Sequence, residues 1–336
     1  MAAAGASVGD DASNDRAKAR TFRHSAYTPE RIAAARAQRG LSVSVCLPAR
    51  ECAGTVGEIV GALGALREAG ALDRIVVVDA ASPDGTAELA AQAGAEVWQE
   101  DDLLPSFGPV LGKGDAMWRT LSRLESDVVC FVDADSERFS AHFATGLLGP
   151  LLCEPDVSFV KAFYRRPLTG GAQGHGADPA EEGGRVNHLM ARPALALFYP
   201  QLAQIRQPLA GEVAARRELL ERLPFATGYG VEIAMLIDAW RTVGIEGIAQ
   251  VDLEQHHNRH QTLSALSPMA LTVLATIARR LEQEGRLTPD GAAAALAPPE
   301  RPPLASLAEL PGSGVSDGAR PGDSAATLGE RRGSRA

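Results

Sequence analysis

Three short apolar runs, each stopped at a proline or a carboxylate, most limit what this chain can fold into. Residues 42–47 end in V-S-V-C-L before Pro48, residues 75–78 end at Asp79, and the stretch 127–135 reads D-V-V-C-F-V-D-A-D. Such short, β-branched, nearly continuous apolar runs predict strands buried on both faces, as in parallel sheets. Between the first two lies a helical pattern at residues 55–66, with Val56, Ile59, Val60, Leu63 and Leu66 on one face. A second helical pattern follows at 84–93, and strand–helix–strand–helix order predicts an α/β chain with right-handed crossovers.

The third run delivers two carboxylates, Asp133 and Asp135, to a sheet edge, where open α/β sheets bind ligands. In an extended segment, residues two apart project to one side, so both can face one hard cation or the diphosphate it holds. With 42 acidic residues in the chain, an Asp-x-Asp is also common by chance as a turn or cap, so context must decide. Asp79 occupies the equivalent edge of the second strand, placed to accept hydrogen bonds from a base or ribose, with Ser82 or Asp84 the better helix cap. Lys113, between two glycines and just before a helix, can reach phosphate while the backbone approaches closely. The G-x-x-x-x-G-K-[ST] spacing of a Walker loop is missing.

Further along, a helix at 141–152 leads to a strand at 157–164. A long Gly-rich loop at 167–185 then enters a helical stretch through E-G-G-R-V-N-H, where glycines and Arg185 suggest an anion cradle. Helices are expected at 212–222 and 231–243, a strand at 248–253, and a last amphipathic helix at 267–284. After that strand, Q-H-H-N-R-H offers three histidines and an asparagine for a divalent metal site or a polar acceptor. Residues 1–24 and 289–336 read as disordered tails. They flank one part of the chain at 25–165 and a second part with C-terminal helices at 166–288.

With 336 residues, 45% of them hydrophobic, one large core is within reach. A net charge of -9 argues against a nucleic-acid surface. Cys46, Cys52, Cys130 and Cys153 form no C-x-x-C pair, and a reducing cytoplasm follows as the default. No signal peptide or membrane-spanning run is expected.

Taken together, Asp79, Lys113, Asp133-Ala134-Asp135, the G-G-R loop, V-K-A-F-Y-R-R-P, Q-P-L-A-G-E, G-Y-G-V-E-I and the H-x-N-R segment resemble the glucosyl-3-phosphoglycerate synthase family and its mannosyl relatives over roughly residues 41–285. The resemblance implies a GT-A glycosyltransferase fold, with a mainly parallel Rossmann-like sheet and a helical acceptor-binding second half. It implies a retaining hexosyltransferase that moves glucose from UDP-glucose to the 2-hydroxyl of 3-phosphoglycerate. GDP-mannose as donor, or a non-catalytic sugar-nucleotide-binding homologue, are the alternatives. Pro48, Ala49, Arg50, Glu51 and Cys52 would line the nucleotide with Asp79 and Ala80, and Lys113, Asp133 and Ala134 would contact the nucleotide sugar. Tyr229, Gly230, Val231 and Glu232 would lie along the donor sugar. Asp135 and His256 would hold Mg2+ or Mn2+, with His257 and His260 as other candidates, and Gly184, Arg185, Val186, Asn187 and Asn258 would receive 3-phosphoglycerate. Asp135, Lys113 and Glu232 are the expected catalytic groups, in a homodimer. Glu51 and Cys52 stand where relatives often read N-E, and Asn187 stands where Thr is usual.

Overall fold

A computed structural model describes residues 18–166, 184–256, 262–288 and 291–307. The strands are β1 (Arg20–Arg23), β2 (Val43–Ala49), β3 (Arg74–Asp79), β4 (Glu96–Gln99), β5 (Val128–Phe131), β6 (Phe159–Arg165), β7 (Val213–Arg216), β8 (Phe225–Ala226), β9 (Ile248–Gln255) and β10 (Glu300–Arg301). Eight of them make one sheet in the order β1-β9-β6-β7-β5-β2-β3-β4, while β8 and β10 pair apart from it. Every pairing in the large sheet is parallel except those of β7, which runs antiparallel between β5 and β6.

The α-helices before residue 291 are α1 (Pro29–Arg39), α2 (Val56–Glu68), α3 (Thr86–Gln92), α4 (Lys113–Leu121), α5 (His142–Cys153), α6 (Arg192–Phe198), α7 (Arg217–Leu220), α8 (Val231–Val243) and α9 (Leu263–Gln283). Alternation along the strands divides the core. Cys46, Val76, Val78, Val129 and Phe131 face the side carrying Trp118, Leu236 and Ile277. Val45, Leu47, Ile75, Val77 and Cys130 face the side carrying Ile59, Leu63 and Leu147. The expected apolar face of α2 is the buried one. From β2 the chain moves outward to β3 and β4, then crosses back to β5 on the other side of β2. This reversal opens a crevice at the carboxyl ends of β2 and β5, the topological switch point where such sheets take ligands.

Several elements differ from the sequence reading. Residues 213–216, expected in a helix, fill the gap between β5 and β6 as strand β7, and only one helical turn follows. Residues 20–23, expected in a tail, form an edge strand on β9, with Phe22 level with Val251. Beyond residue 288, Glu300 and Arg301 pair with β8 instead of trailing off. The second half thus adds β7 to the sheet beside β9, the strand expected at 248–253. The third apolar run leaves the sheet at Phe131, and Ala134 and Asp135 lie in a turn, so the two carboxylates are not presented by an extended strand.

Candidate active site

A cleft of about 570 Å3 lies over the switch point, lined by Pro48, Ala49, Arg50, Cys52 and Ala80 at one end. Lys113, Asp133, Ala134, Asp135, Gly228 and Tyr229 line the other. The β2 strand ends at Ala49, and Glu51 follows with a φ of 54°, its N–H donating to Ser82 Oγ. Cys52 N–H donates to Thr86 Oγ1, so the two loops after β2 and β3 are tied across the cleft floor. Burial pushes the Cys52 thiol up to about 11. Asp79 is only 1% exposed: Oδ2 accepts from Ser82 N–H and Gln99, while Oδ1 is buried with no hydrogen-bond partner among the described residues. Asp84, not Asp79, accepts from the N–H of Thr86 at the start of α3.

Lys113 opens α4 behind Gly112, and the next residue must be Gly114, because a Cβ there would overlap the carbonyl of Ala226. That close approach draws Lys113 to the site. Its Nζ is 2.5 Å from Asp133 Oδ1 and 3.1 Å from Glu232 Oε1. Burial works against the Lys113 charge, but the two carboxylates outweigh it and raise its pKa well above the usual range. Glu232 belongs to the first turn of α8, while Tyr229, 62% exposed, stands at the rim. Arg50, on the cleft wall, lies 3.6 Å from the mostly buried Glu100, another lining residue, which sequence reasoning did not single out because nothing local marks it.

The turn after β5 separates the two aspartates. Asp133 is neutralised by Lys113, whereas burial and the Asp133 charge push the Asp135 carboxyl up, partly offset by Lys113 and His256. Thr55 Oγ1 donates to the carbonyl of buried Ala134, fixing the turn. His256, at the end of β9 and 1% exposed, has Nε2 2.9 Å from Ser136 Oγ and 2.9 Å from Glu212 Oε1. Burial disfavours its protonation, but the Glu212 carboxylate reverses that and raises its pKa. Its Nδ1 is buried with no hydrogen-bond partner among the described residues. A carboxylate short of cations and a buried imidazole nitrogen without a partner fit a divalent ion with oxygen and nitrogen ligands. No group of three or more His, Cys, Asp or Glu among the described residues could hold a metal alone, so an ion here draws its other ligands from elsewhere.

Among the residues expected to take the acceptor, Gly184 has a φ of 76° and its carbonyl accepts from His188 N–H, opening a helical turn that carries Arg185 and Val186. Asn187 is buried, and its Oδ1 accepts from Leu209 N–H. Asn258, His257, His260 and the Gly-rich stretch 167–183 lie outside the described residues.

Residues 44–173 match the family model Glycosyl transferase family 2. The chain is 42% identical over 271 residues to the glucosyl-3-phosphoglycerate synthase of Petrotoga mobilis, covering 80% of this chain and 82% of the relative. The chain belongs to the glucosyl-3-phosphoglycerate synthase family. The Mycobacterium tuberculosis member of that family, solved with Mn2+, UDP-glucose and phosphoglyceric acid, superposes with a TM-score of 0.73 at 36% identity, over 86% of this chain and 99% of that one. The mannosyl-3-phosphoglycerate synthase of Rubrobacter xylanophilus superposes with a TM-score of 0.74 at 47% identity, over 80% of this chain and 83% of that one. Within this glucosyl-3-phosphoglycerate synthase family, the fold is GT-A-like, as expected. No helix among the described residues is long and apolar enough to cross a membrane.

Proposed function

We propose that this chain is a metal-dependent retaining glucosyltransferase, moving glucose from UDP-glucose to the 2-hydroxyl of 3-phosphoglycerate. The observation that carries the reading is the cleft itself. Lys113, Asp133 and Glu232 form one hydrogen-bonded cluster beside a cation-deficient Asp135, in a family whose solved member holds UDP-glucose, Mn2+ and phosphoglyceric acid.

Pro48, Ala49, Arg50, Glu51, Cys52, Asp79 and Ala80 bind the nucleotide, with Asp79 Oδ1 the unsatisfied acceptor for a base or ribose donor. Asp135 and His256 would hold Mg2+ or Mn2+, which supplies positive charge against the departing diphosphate. Lys113 adds a preorganised cation at the same place. Glu232 and the backbone of Tyr229, Gly230 and Val231 orient the glucosyl hydroxyls. Because Glu232 Oε1 is engaged by Lys113, its role is positioning and not nucleophilic attack. Arg185, with Gly184, Val186, Asn187 and Asn258, receives the acceptor anion and sets its hydroxyl near the anomeric carbon. The acceptor oxygen bonds to that carbon on the face the diphosphate leaves, the carbon–oxygen bond to the diphosphate breaks, and the departing oxygen takes the hydroxyl proton. A reducing cytoplasm suits four free thiols, and a homodimer is the expected assembly.

The 47% identity to a mannosyl enzyme favours GDP-mannose as the second reading of the donor. Purified protein incubated with 3-phosphoglycerate, Mg2+ and either UDP-glucose or GDP-mannose decides between them. The expected product is an α-linked phosphorylated glucoside from UDP-glucose. Preferential turnover of GDP-mannose replaces the donor, an inverted anomer removes the retaining mechanism, and no product from either donor overturns the enzyme reading.

A further inference from the structure

The Q-P-L-A-G-E segment, residues 207–212, is not among the residues that line the cleft, yet almost every member of it is clamped. Gln207 exchanges hydrogen bonds with the backbone of Tyr164, through Nε2 to the carbonyl and through Oε1 from the N–H. Leu209 N–H donates to Asn187, and the carbonyl of Ala210 accepts from the buried Lys161 Nζ at 2.5 Å. Gly211 lies against the Asp133 carboxylate, where a Cβ would overlap it. Glu212 is wholly buried: its carbonyl accepts from Ala162 N–H, its Oε2 accepts from Tyr164 O–H at 2.7 Å, and its Oε1 faces His256 Nε2. The Tyr164 ring also stacks on the His256 imidazole, with centroids 4.5 Å apart and planes 20° from parallel.

The surroundings of Nε2 decide which imidazole nitrogen stays open. Ser136 spends its hydroxyl hydrogen on the carbonyl of Asp133 at 3.1 Å, so toward His256 it acts as an acceptor. Glu212 Oε1, at 2.9 Å, is an acceptor as well and receives no well-aligned hydrogen bond of its own. With two acceptors on one side, the proton belongs on Nε2, and the buried, unpartnered Nδ1 is left with its lone pair. Carboxylates that take the second N–H of a metal-binding histidine fix its tautomer and ring orientation.

We infer that Glu212 is a positioning residue for the cation. Held by Tyr164, its negative charge 2.9 Å from Nε2 favours the proton on that nitrogen, so that His256 presents Nδ1 as the ligand nitrogen. The tripeptide 210–212 thereby links the imidazole, through Glu212, to Asp133, against which Gly211 packs. This inference rests on the metal-dependent reading given above.

The test titrates Mn2+ into the full-length protein holding UDP and follows free Mn2+ by electron paramagnetic resonance. Glu212→Gln is expected to weaken Mn2+ binding by about 10–100-fold, the usual range for loss of such an outer partner. Its affinity for UDP without metal should stay as in the wild type, a split that a merely structural role would not produce. Tyr164→Phe removes one hydroxyl, keeps the stacked ring and is expected to weaken Mn2+ binding several-fold, so the inference stays open to refutation even where Glu212→Gln fails to fold. Wild-type affinity for Mn2+ in either folded variant overturns the role of Glu212 while leaving the metal reading intact. A wild-type protein that takes up no Mn2+ with UDP bound overturns both.

Discussion

Gly211 lies so close to the Asp133 carboxylate that a methyl group on its Cα would occupy the same space, while Lys113 holds that carboxylate from the other side. In Gly211→Ala one of the two contacts must give way. Overpacking of this kind costs about 1–3 kcal/mol, and a displacement of a reacting group by an ångström costs roughly 100-fold in rate. The expected outcome is a fall in kcat/KM of that order with a folded, slightly less stable protein, checked by steady-state kinetics beside a thermal melt; unchanged kinetics would remove Asp133 from the donor site. The placement of Asp133 at the cleft was legible from sequence, because an apolar run that stops at a carboxylate is a local signal. The separation of Asp133 from Asp135 was not. It depends on Lys113 and Glu232 arriving from α4 and α8, and on a strand that ends at Phe131, one residue before the apolar run does.

At the level of elements, α4 carries a buried aspartate that ties down a segment distant in sequence. Asp115 accepts from Arg301 at 2.6 and 2.8 Å, from Arg119 at 3.1 Å and from Leu111 N–H at 2.9 Å. Burial alone would raise its carboxyl, but these partners outweigh it and hold the pKa below the usual value. A depressed carboxylate contributes stability that is complete above the unfolded value of about 3.9 and is lost as pH falls through the folded one. Arg301→Ala should therefore lower the urea midpoint at pH 7 and narrow the gap between midpoints at pH 7 and pH 3. An equal drop at both values would mean the pair is not what sets the acid limb. The same scale shows why β7 was read as a helix. Residues 212–222 are rich in Ala, Arg, Glu and Leu, all strong helix formers. The open edges of β5 and β6 overrode that preference, with Ala214 and Ala215 small enough for a strand buried on both faces.

Across the whole molecule, the last described segment works as a strap. Pro299 carbonyl accepts from Thr227 N–H, Trp118 Nε1 donates to Pro302 carbonyl, and Glu300 pairs with the buried Arg280, itself held by Asp238. A chain ending at residue 297 would strip Glu300 from Arg280 and Arg301 from Asp115, a loss of about 1.5–3 kcal/mol for each charge-assisted contact. Its unfolding midpoint in urea should fall sharply; a midpoint like that of the full chain would make the strap dispensable. Composition gave no sign of it, since E-R-P-P reads as tail and the charges it meets lie on α4 and α9. The other end of the chain carries a different consequence. Thr21 on β1 meets Gln250 on β9 across 229 residues. At a synthesis rate of roughly 5–20 residues per second, β1 waits on the order of ten seconds or more for its neighbour to leave the ribosome. Until then its paired edge is bare, so the sheet is completed late, and a nascent chain stalled before residue 248 would expose that strand to whatever else can pair with it.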